Sequence, residues 1–390
     1  AYRDFAHPRR YFGGAPSKAS VAAGERITLG YTFGGTAPEG TFSVRVILRK
    51  GSSCYWAEEI DVKPSAVTKL GDGKWRMDVP FETPLYIHSG EYTLDMDSNS
   101  LFCPSQDRFG FNLTIAAPKA IPGFPKPLTV EMKKREGYPT MYVDGRPTAL
   151  LWGGVDAGRR ADCKPRHSDM PLTAVTVYQY YWQWHQKMGE FDFSWFDRKA
   201  ELYRRSNPDA YYIWDLTVYP AGDFAQKYPE EMASDDTGDR APVGRFSWSY
   251  GSAQARAEMK DAIDRAIRYI ESSPYGNRVI GYRFATGFGT EWLGWDTRPG
   301  RVYDFSKANT EAFLGFVRAN YPELADPHVP DGAERTALDS TDDILWDRRR
   351  HLNAIAYMDY YSLRVAKNAL EMCGQMKTLM RGVFIATAIF

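Results

Sequence analysis

The fold is best interpreted from the stretch Gly281-Tyr-Arg-Phe-Ala-Thr-Gly-Phe-Gly-Thr-Glu-Trp-Leu-Gly-Trp-Asp296. It contains the end of a short apolar segment, 279–285, and a glycine-rich turn that carries a single carboxylate, Glu291. A bounded apolar run of this length predicts a buried strand of a parallel sheet. Loops that follow such strands hold the active sites of β/α barrels. The alternative is an ordinary buried strand followed by an exposed glutamate.

Two tryptophans stand close to Glu291 in this turn, Trp292 and Trp295. Indole faces stack on the C–H surfaces of sugar rings, and a partly desolvated carboxyl group keeps its proton long enough to act as a general acid. The pattern therefore favours a carbohydrate site in which Glu291 is catalytic and the tryptophans form a stacking platform.

Composition excludes several classes of function. The chain has 390 residues, 43% of them hydrophobic, which is enough for two or three domains with a substantial core. Its 49 Lys and Arg balance 49 Asp and Glu, without a run of five like charges, so no nucleic-acid partner is expected. No apolar run reaches the roughly 18 residues of a membrane span, so no membrane partner is expected either.

Four cysteines are present: Cys54, Cys103, Cys163 and Cys373. None forms a Cys-x-x-Cys pair, so a cysteine-rich zinc site is not expected. We expect no other metal site and no cofactor. Cys54 and Cys103 could form a disulfide in an oxidising compartment, or could be two free buried thiols. The chain begins at Ala1 without a signal segment, which indicates a processed protein or an internal fragment. The possible disulfide and the β-sandwich expected at 18–117 together predict a secreted or periplasmic protein.

Changes in pattern along the chain predict five regions. Short alternating strands, such as 26–33, 41–48 and 90–96, indicate an all-β, immunoglobulin-like β-sandwich, and four prolines in ten residues indicate a stiff linker. In the hairpin that follows, Asp144-Gly145 is a two-residue turn signal. The regions are an extended lead-in at 1–17, the sandwich at 18–117, the linker at 118–128, the hairpin at 129–148 and an α/β domain at 149–390.

The last region alternates strands and helices, which is typical of a parallel α/β architecture. Five strands are expected, at 149–155, 172–178, 210–216, 279–285 and 382–390. Helices are expected at 194–206, from a cap at Ser252, at 307–319 and at 348–375. Five strands cannot close an eight-stranded barrel, so the interpretation is an incomplete (β/α)8 TIM barrel within a longer polypeptide. An open five-stranded sheet is the alternative.

Three segments then occur in a specific order: Phe191-Asp-Phe-Ser-Trp-Phe-Asp197, Lys227-Tyr-Pro-Glu-Glu231, and the stretch from Ser252 to Glu291. In order and spacing they resemble glycoside hydrolase family 42, the β-galactosidase-like branch of clan A, over roughly residues 138–390. The resemblance implies retaining hydrolysis of a β-glycosidic bond, with a β-galactoside as the first candidate and Glu291 as the general acid/base. It also implies a nucleophile beyond residue 390.

This chain departs from the pattern of the clan at the residue before the acid/base, which is usually Asn in the clan and is Thr290 here. A hydroxyl cannot reproduce both sides of an amide, so galactoside specificity does not follow. Thr290 is still a candidate substrate contact, together with Tyr180, Trp184, His185 and Asp215. For His185 and Asp215 a purely structural role is the alternative.

Two other functions fit the same sequence. One is a non-catalytic carbohydrate-binding protein with a degenerate barrel, and the other is a hydrolase for a different sugar, such as an arabinoside or a glucuronide. In each case the partner is an oligosaccharide or polysaccharide. The family resemblance also implies a homo-oligomer.

Overall fold

The computed structural model describes residues 10–36, 40–51, 53–97, 109–119, 121, 128–149, 152–154, 174–180, 184–239, 248–286, 292, 301–336, 346–380 and 384–387. The chain divides into two compact units. The first consists of Ala1–Lys126, Trp152–Val175 and Ser194–Ala210, and the second of Pro127–Leu151, Thr176–Phe193 and Tyr211–Phe390. The fold is mixed, because the first unit is rich in strands and the second alternates strands with helices.

Two sheets form most of the first unit. Their strands are β1 (Arg10–Pro16), β2 (Ser20–Ala22), β3 (Arg26–Gly34), β4 (Phe42–Lys50), β5 (Ser53–Val62), β6 (Val67–Gly71), β7 (Lys74–Glu82), β8 (Gly90–Asp97) and β9 (Phe109–Ala116). One sheet has the order β1-β3-β7-β6 and the other β2-β9-β8-β4-β5. Within the predicted lead-in, β1 pairs antiparallel with β3, so that this segment is a sheet strand.

The core of the first unit follows from period-two alternation. Along β3 the side chains of Ile27, Leu29, Tyr31 and Phe33 are buried, while those of the residues between them are mostly more exposed. The rings of Tyr31 and Phe111, which lie on different sheets, have centroids 5.6 Å apart. Apolar faces of the two sheets therefore contact each other.

Helix α1 (Ser194–Ser206) has the predicted bounds and lies in the first unit. Polar contacts connect it to the strands of that unit. Asp197 Oδ2 accepts a hydrogen bond from Tyr55 Oη at 3.1 Å and lies 2.8 Å from His88 Nε2. Arg198 Nη1 donates to the Cys54 carbonyl at 2.7 Å. Cys54 is a free thiol in this structure. Its predicted partner, Cys103, lies outside the described residues, and the disulfide stays a prediction.

A small sheet opens the second unit and contains β10 (Val130–Arg135), β11 (Tyr138–Val143) and β12 (Arg146–Pro147). Val143 pairs with Arg146, and the two residues between them, Asp144 and Gly145, have φ of 49° and 76°. Positive φ at both positions is the two-residue hairpin geometry that an Asp-Gly pair prefers. The predicted turn is confirmed.

The larger sheet has the order β13-β14-β15-β16-β17, and its described pairings, β15 with β16 and β16 with β17, are parallel. The predicted and observed bounds of the five strands agree within a few residues, and those of β16 coincide. The strands are β13 (Trp152–Gly154), β14 (Ala174–Tyr180), β15 (Tyr211–Thr217), β16 (Val279–Ala285) and β17 (Phe384–Thr387).

Helices of the second unit follow these strands in sequence: α2 (Phe224–Lys227), α3 (Ala253–Ser272), α4 (Lys307–Asn320), α5 (Gly332–Thr336) and α6 (Leu352–Leu379). The predicted cap of α3 is confirmed, since Ser252 Oγ accepts a hydrogen bond from Ala255 N at 2.9 Å. Helix α6 begins four residues later than its apolar pattern indicates. None of the described helices is long and apolar enough to cross a membrane.

Candidate active site

The candidate site is built on two neighbouring strands of the larger sheet, β15 and β16. Asp215 stands opposite Arg283 in their parallel register, and Val218 N extends the pairing by donating to the Ala285 carbonyl at 3.0 Å. Both strands therefore end at the same edge of the sheet. In parallel sheets this carboxyl edge is where ligands bind.

The two faces of the sheet differ in what they contact. On one face, Tyr282 Oη donates to Glu271 Oε1 of α3 at 2.7 Å, and the Trp214 ring lies 5.7 Å from that of Tyr275. Successive side chains of a strand point to opposite faces. Asp215 and Arg283 therefore lie on the face turned away from α3, which is the interior face if the sheet continues into a barrel.

An ion pair joins the two residues on this face. Arg283 Nη1 donates to Asp215 Oδ2 at 2.8 Å. The Asp215 side chain has no exposed surface, whereas that of Arg283 keeps 20% of its surface exposed. The second carboxylate oxygen of Asp215, Oδ1, is buried and accepts no hydrogen bond from any described residue.

Burial raises the pKa of Asp215 to about 6, although the charge and the hydrogen bond of Arg283 act in the opposite direction. Desolvation dominates because the ionised carboxylate loses its water and recovers only one strong hydrogen bond. Asp215 was predicted as a substrate contact or a structural residue. Its complete burial gives it no surface for a substrate, and it acts on this face through Arg283.

The predicted acid/base, Glu291, lies outside the described residues, as do Thr290 and Trp295. The structure does describe both ends of this loop. Trp292 N donates to the carbonyl of Thr286, directly after β16, at 2.9 Å. The chain thus returns to the end of β16 immediately after position 291. Trp292 has a φ of 58°, which non-glycine residues adopt only where their surroundings hold them.

Trp292, predicted as part of the stacking platform, is buried with 2% of its surface exposed. Its ring lies 5.3 Å from the Phe284 ring in an edge-on contact and 6.4 Å from the Tyr250 ring. A sugar cannot stack on an enclosed ring, so Trp292 packs the base of the loop in this structure. Of the two predicted platform residues, only Trp295 is left for the stacking role.

Trp184 and His185, predicted as sugar contacts, are also buried, with 1% and 0% of their surface exposed. His185 stacks on Phe191 at 4.5 Å, and its Nε2 lies 3.1 Å from Glu258 Oε1 of α3. Both rings belong to an aromatic layer that continues to Tyr269 of α3. This placement supports the structural alternative for His185.

Tyr180 is the last residue of β14, which puts its backbone at a strand end, and its side chain is not among those described. Among the described residues, no three His, Cys, Asp or Glu side chains are grouped so that they could hold a metal ion.

Sequence reasoning missed Arg283. The signal was present, since one acid and one base occupy mid-strand positions in two otherwise apolar segments, 211–217 and 279–285. A charge inside an apolar strand needs a partner, because an isolated buried charge is costly. Pairing these two strands would have joined Asp215 to Arg283.

Comparisons with known proteins were made at three levels. No protein-family model matches the sequence, and no curated protein sequence matches it significantly. Solved structures with partial similarity include three beta-galactosidases, each aligned over 32% of its own length. The enzyme of Bacillus circulans sp. alkalophilus has a TM-score of 0.42 at 13% identity over 56% of this chain.

The beta-galactosidase of Halorubrum lacusprofundi has a TM-score of 0.42 at 17% identity over 56% of this chain and 32% of its own. That of Marinomonas ef1 has a TM-score of 0.40 at 13% identity over 55% of this chain and 32% of its own. The present chain thus spans about a third of each enzyme. TM-scores below 0.5 establish neither its fold nor its activity.

Proposed function

We propose that this chain is part of a retaining glycoside hydrolase that cleaves a β-glycosidic bond, with Glu291 as the general acid/base. The observation that carries the proposal is the hydrogen bond from Trp292 N to the Thr286 carbonyl. It brings the chain back to the carboxyl edge of the sheet directly after residue 291. A carboxylate at this edge is in the position that β/α-barrel enzymes use for catalysis.

The proposed architecture is correspondingly an incomplete (β/α)8 barrel preceded by an immunoglobulin-like sandwich. The parallel pairing of β15, β16 and β17 and the burial of the apolar residues of β15 and β16 support the barrel. The two contacting sheets of the first unit support the sandwich. The segments that resemble glycoside hydrolase family 42 place the nucleophile after a later strand, and no residue of this chain is assigned to it.

In the proposed mechanism Glu291 first donates its proton to the glycosidic oxygen as the leaving group departs. It then removes a proton from the water that releases the sugar from the nucleophile. The first role requires a protonated carboxyl group and the second an ionised one. A partly desolvated position beside aromatic residues raises a carboxyl pKa towards the range in which both forms are accessible.

The test compares wild type with Glu291→Gln in the complete protein, using aryl β-glycosides. Positioned acid/base groups contribute about 10²- to 10⁴-fold, so turnover should fall by that factor for poor leaving groups. The loss of kcat/KM, which reports the first step alone, should be smaller for 2,4-dinitrophenyl glycosides, whose leaving group departs without a proton.

Glu190→Gln is the matched control, because Glu190 is an exposed glutamate whose side chain keeps 70% of its surface accessible. Its turnover should equal that of wild type. A loss below about tenfold in the kcat/KM of Glu291→Gln for poor leaving groups, or an equal loss of kcat/KM for good and poor leaving groups, would exclude the acid/base role. Binding of oligosaccharides without any turnover in the wild type would favour the non-catalytic binding protein instead.

A further inference from the structure

Arg283 has more hydrogen-bonding capacity than the described residues use. Among the residues that the structure describes, its guanidinium group hydrogen-bonds to one, through the bond from Nη1 to Asp215 Oδ2 at 2.8 Å. A guanidinium carries five N–H donors, so the edge formed by Nε and Nη2 has no described protein acceptor. The Arg283 side chain keeps 20% of its surface accessible on the face turned away from α3, so a ligand on that face can reach it.

The arrangement also holds the guanidinium in place. Asp215 is fully buried in β15, and strand pairing fixes its position opposite Arg283. A long side chain that is anchored at one end loses less conformational entropy when it binds a ligand than a mobile surface arginine does. Arg283 is therefore preorganised on the strand that leads to Glu291.

The geometry of the unused edge selects a ligand class. Two parallel N–H groups match the two oxygens of a carboxylate and form a bidentate pair, which is stronger than two hydrogen bonds to hydroxyl groups. Neutral sugars offer only hydroxyl oxygens. Uronic acids carry a planar carboxylate on the pyranose ring, and this is the sugar substituent that the guanidinium edge fits best.

We infer that Arg283, positioned by Asp215, forms a carboxylate subsite and that the substrate is a β-linked uronic acid. This inference rests on the proposed glycosidase function, because that function requires the sugar to bind at the carboxyl side of β16. It goes further by assigning the substrate class and two residues that determine it. Arg283 is the substrate-binding residue, and Asp215 is a positioning residue that does not contact the sugar.

The experiment measures binding separately from hydrolysis. Calorimetric titrations of the complete protein with methyl β-D-glucuronide, methyl β-D-galacturonide and the two corresponding neutral glycosides give four dissociation constants. Charge-assisted bonds to a carboxylate predict that at least one uronide binds about 10- to 100-fold more tightly than its neutral counterpart. Arg283→Gln should remove this preference without weakening the binding of the neutral sugars.

Two further variants separate charge and geometry from folding. Arg283→Lys keeps the positive charge but loses the forked edge, so uronide binding should fall to an intermediate value. Arg268→Gln removes an exposed arginine that is already paired with Asp264 on α3, and it should behave as wild type. Thermal unfolding of each variant identifies any that do not fold.

The outcomes distinguish this inference from the proposed function. Equal affinities for uronide and neutral sugar in the wild type, or an unchanged preference in folded Arg283→Gln, would overturn the carboxylate subsite even if aryl glycosides are hydrolysed. Conversely, uronide binding that depends on Arg283 would support the subsite even if Glu291→Gln shows that the acid/base assignment is wrong.

Discussion

The backbone N–H of Leu85 donates to the carboxylate of Glu201 at 3.0 Å, which joins the segment after β7 to helix α1 across 116 residues of sequence. Glu201 is buried and also accepts hydrogen bonds from Arg204 Nη2 at 2.7 Å, from Arg204 Nε at 3.0 Å and from Arg205 Nε at 2.8 Å. The two arginines extend to β5 and β7, where Arg205 Nη1 lies 2.5 Å from Glu58. Through these two arginines, one carboxylate links α1 to two strands of the first unit.

Replacing Glu201 with Ala should therefore destabilise the protein strongly. It would leave the Leu85 N–H without its acceptor and remove the carboxylate that two partly buried guanidinium groups share, and breaking a buried ion pair from one side costs about 3–5 kcal/mol. Urea denaturation followed by circular dichroism measures the change. Glu190→Ala removes a partner of the exposed pair with Lys187 and should cost less than about 1 kcal/mol. Equal losses in the two variants would contradict the organising role of Glu201.

The buried carboxyl group of Asp215 should make stability depend on pH in an identifiable window. Its pKa is about 6 in the folded protein, against 3.8 for an unperturbed group, so the folded state binds more protons between pH 4 and 6. The free energy of unfolding then falls as pH rises through this window, by about 3 kcal/mol at most, and is constant above it. Asp215→Asn removes this titration.

The measurement is the difference in unfolding free energy between wild type and Asp215→Asn at pH values from 4 to 7. All other groups titrate in both proteins, so the difference isolates Asp215. We expect wild type to lose stability relative to the variant as the pH rises to 6. A difference that is independent of pH would show that the carboxyl group keeps its ordinary pKa.

Two glycines should respond in opposite directions to the same substitution. A Cβ at Gly251 would lie 2.6 Å from the Ala308 carbonyl oxygen and 2.7 Å from Asn309 Cα, whereas a Cβ at Gly315 would meet nothing within 4 Å. Gly251→Ala forces backbone atoms apart and should cost at least about 1–3 kcal/mol. Gly315→Ala, inside α4, should stabilise the protein by about 0.5–1 kcal/mol. Thermal or urea unfolding of both variants tests this, and destabilisation of Gly315→Ala would be evidence against the described surroundings of α4.

Trp184 offers a direct test of its structural placement. Because the ring is 1% exposed, Trp184→Phe should lower stability by about 0.5–3 kcal/mol and leave the KM for an aryl glycoside unchanged. Unfolding and steady-state kinetics on the same preparations provide both values. A KM raised tenfold at unchanged stability would restore the sugar contact that the sequence predicts.

The sequence predicted those parts of the fold that local patterns determine. The bounds of α1 and β16, the cap at Ser252 and the turn at Asp144-Gly145 each depend on residues within one helix, strand or turn. Periodicity and capping act over such short distances, so the prediction and the structure agree there.

The candidate site depends on contacts between residues that are far apart in sequence, and sequence patterns did not predict these contacts. His185 follows a strand among aromatics, as a sugar-binding residue could, yet Glu258 of α3 accounts for its position. The charged residues of α1 are typical of a solvated face, and only the packed structure brings them onto buried strands. The charge of Arg283 inside an apolar strand indicates that it has a partner, but only the pairing of β15 with β16 identifies that partner as Asp215.

The hydrogen bond from Trp292 N to the Thr286 carbonyl limits how the sequence of this region can diverge. A hydrogen bond joins the two residues that flank 287–291, and Trp292 has a left-handed conformation where the chain leaves this connection. An insertion or deletion at 287–291 must either fit between these two joined residues or break their bond. Natural variants of this protein should therefore alter chemistry there by exchanging side chains and vary loop length elsewhere.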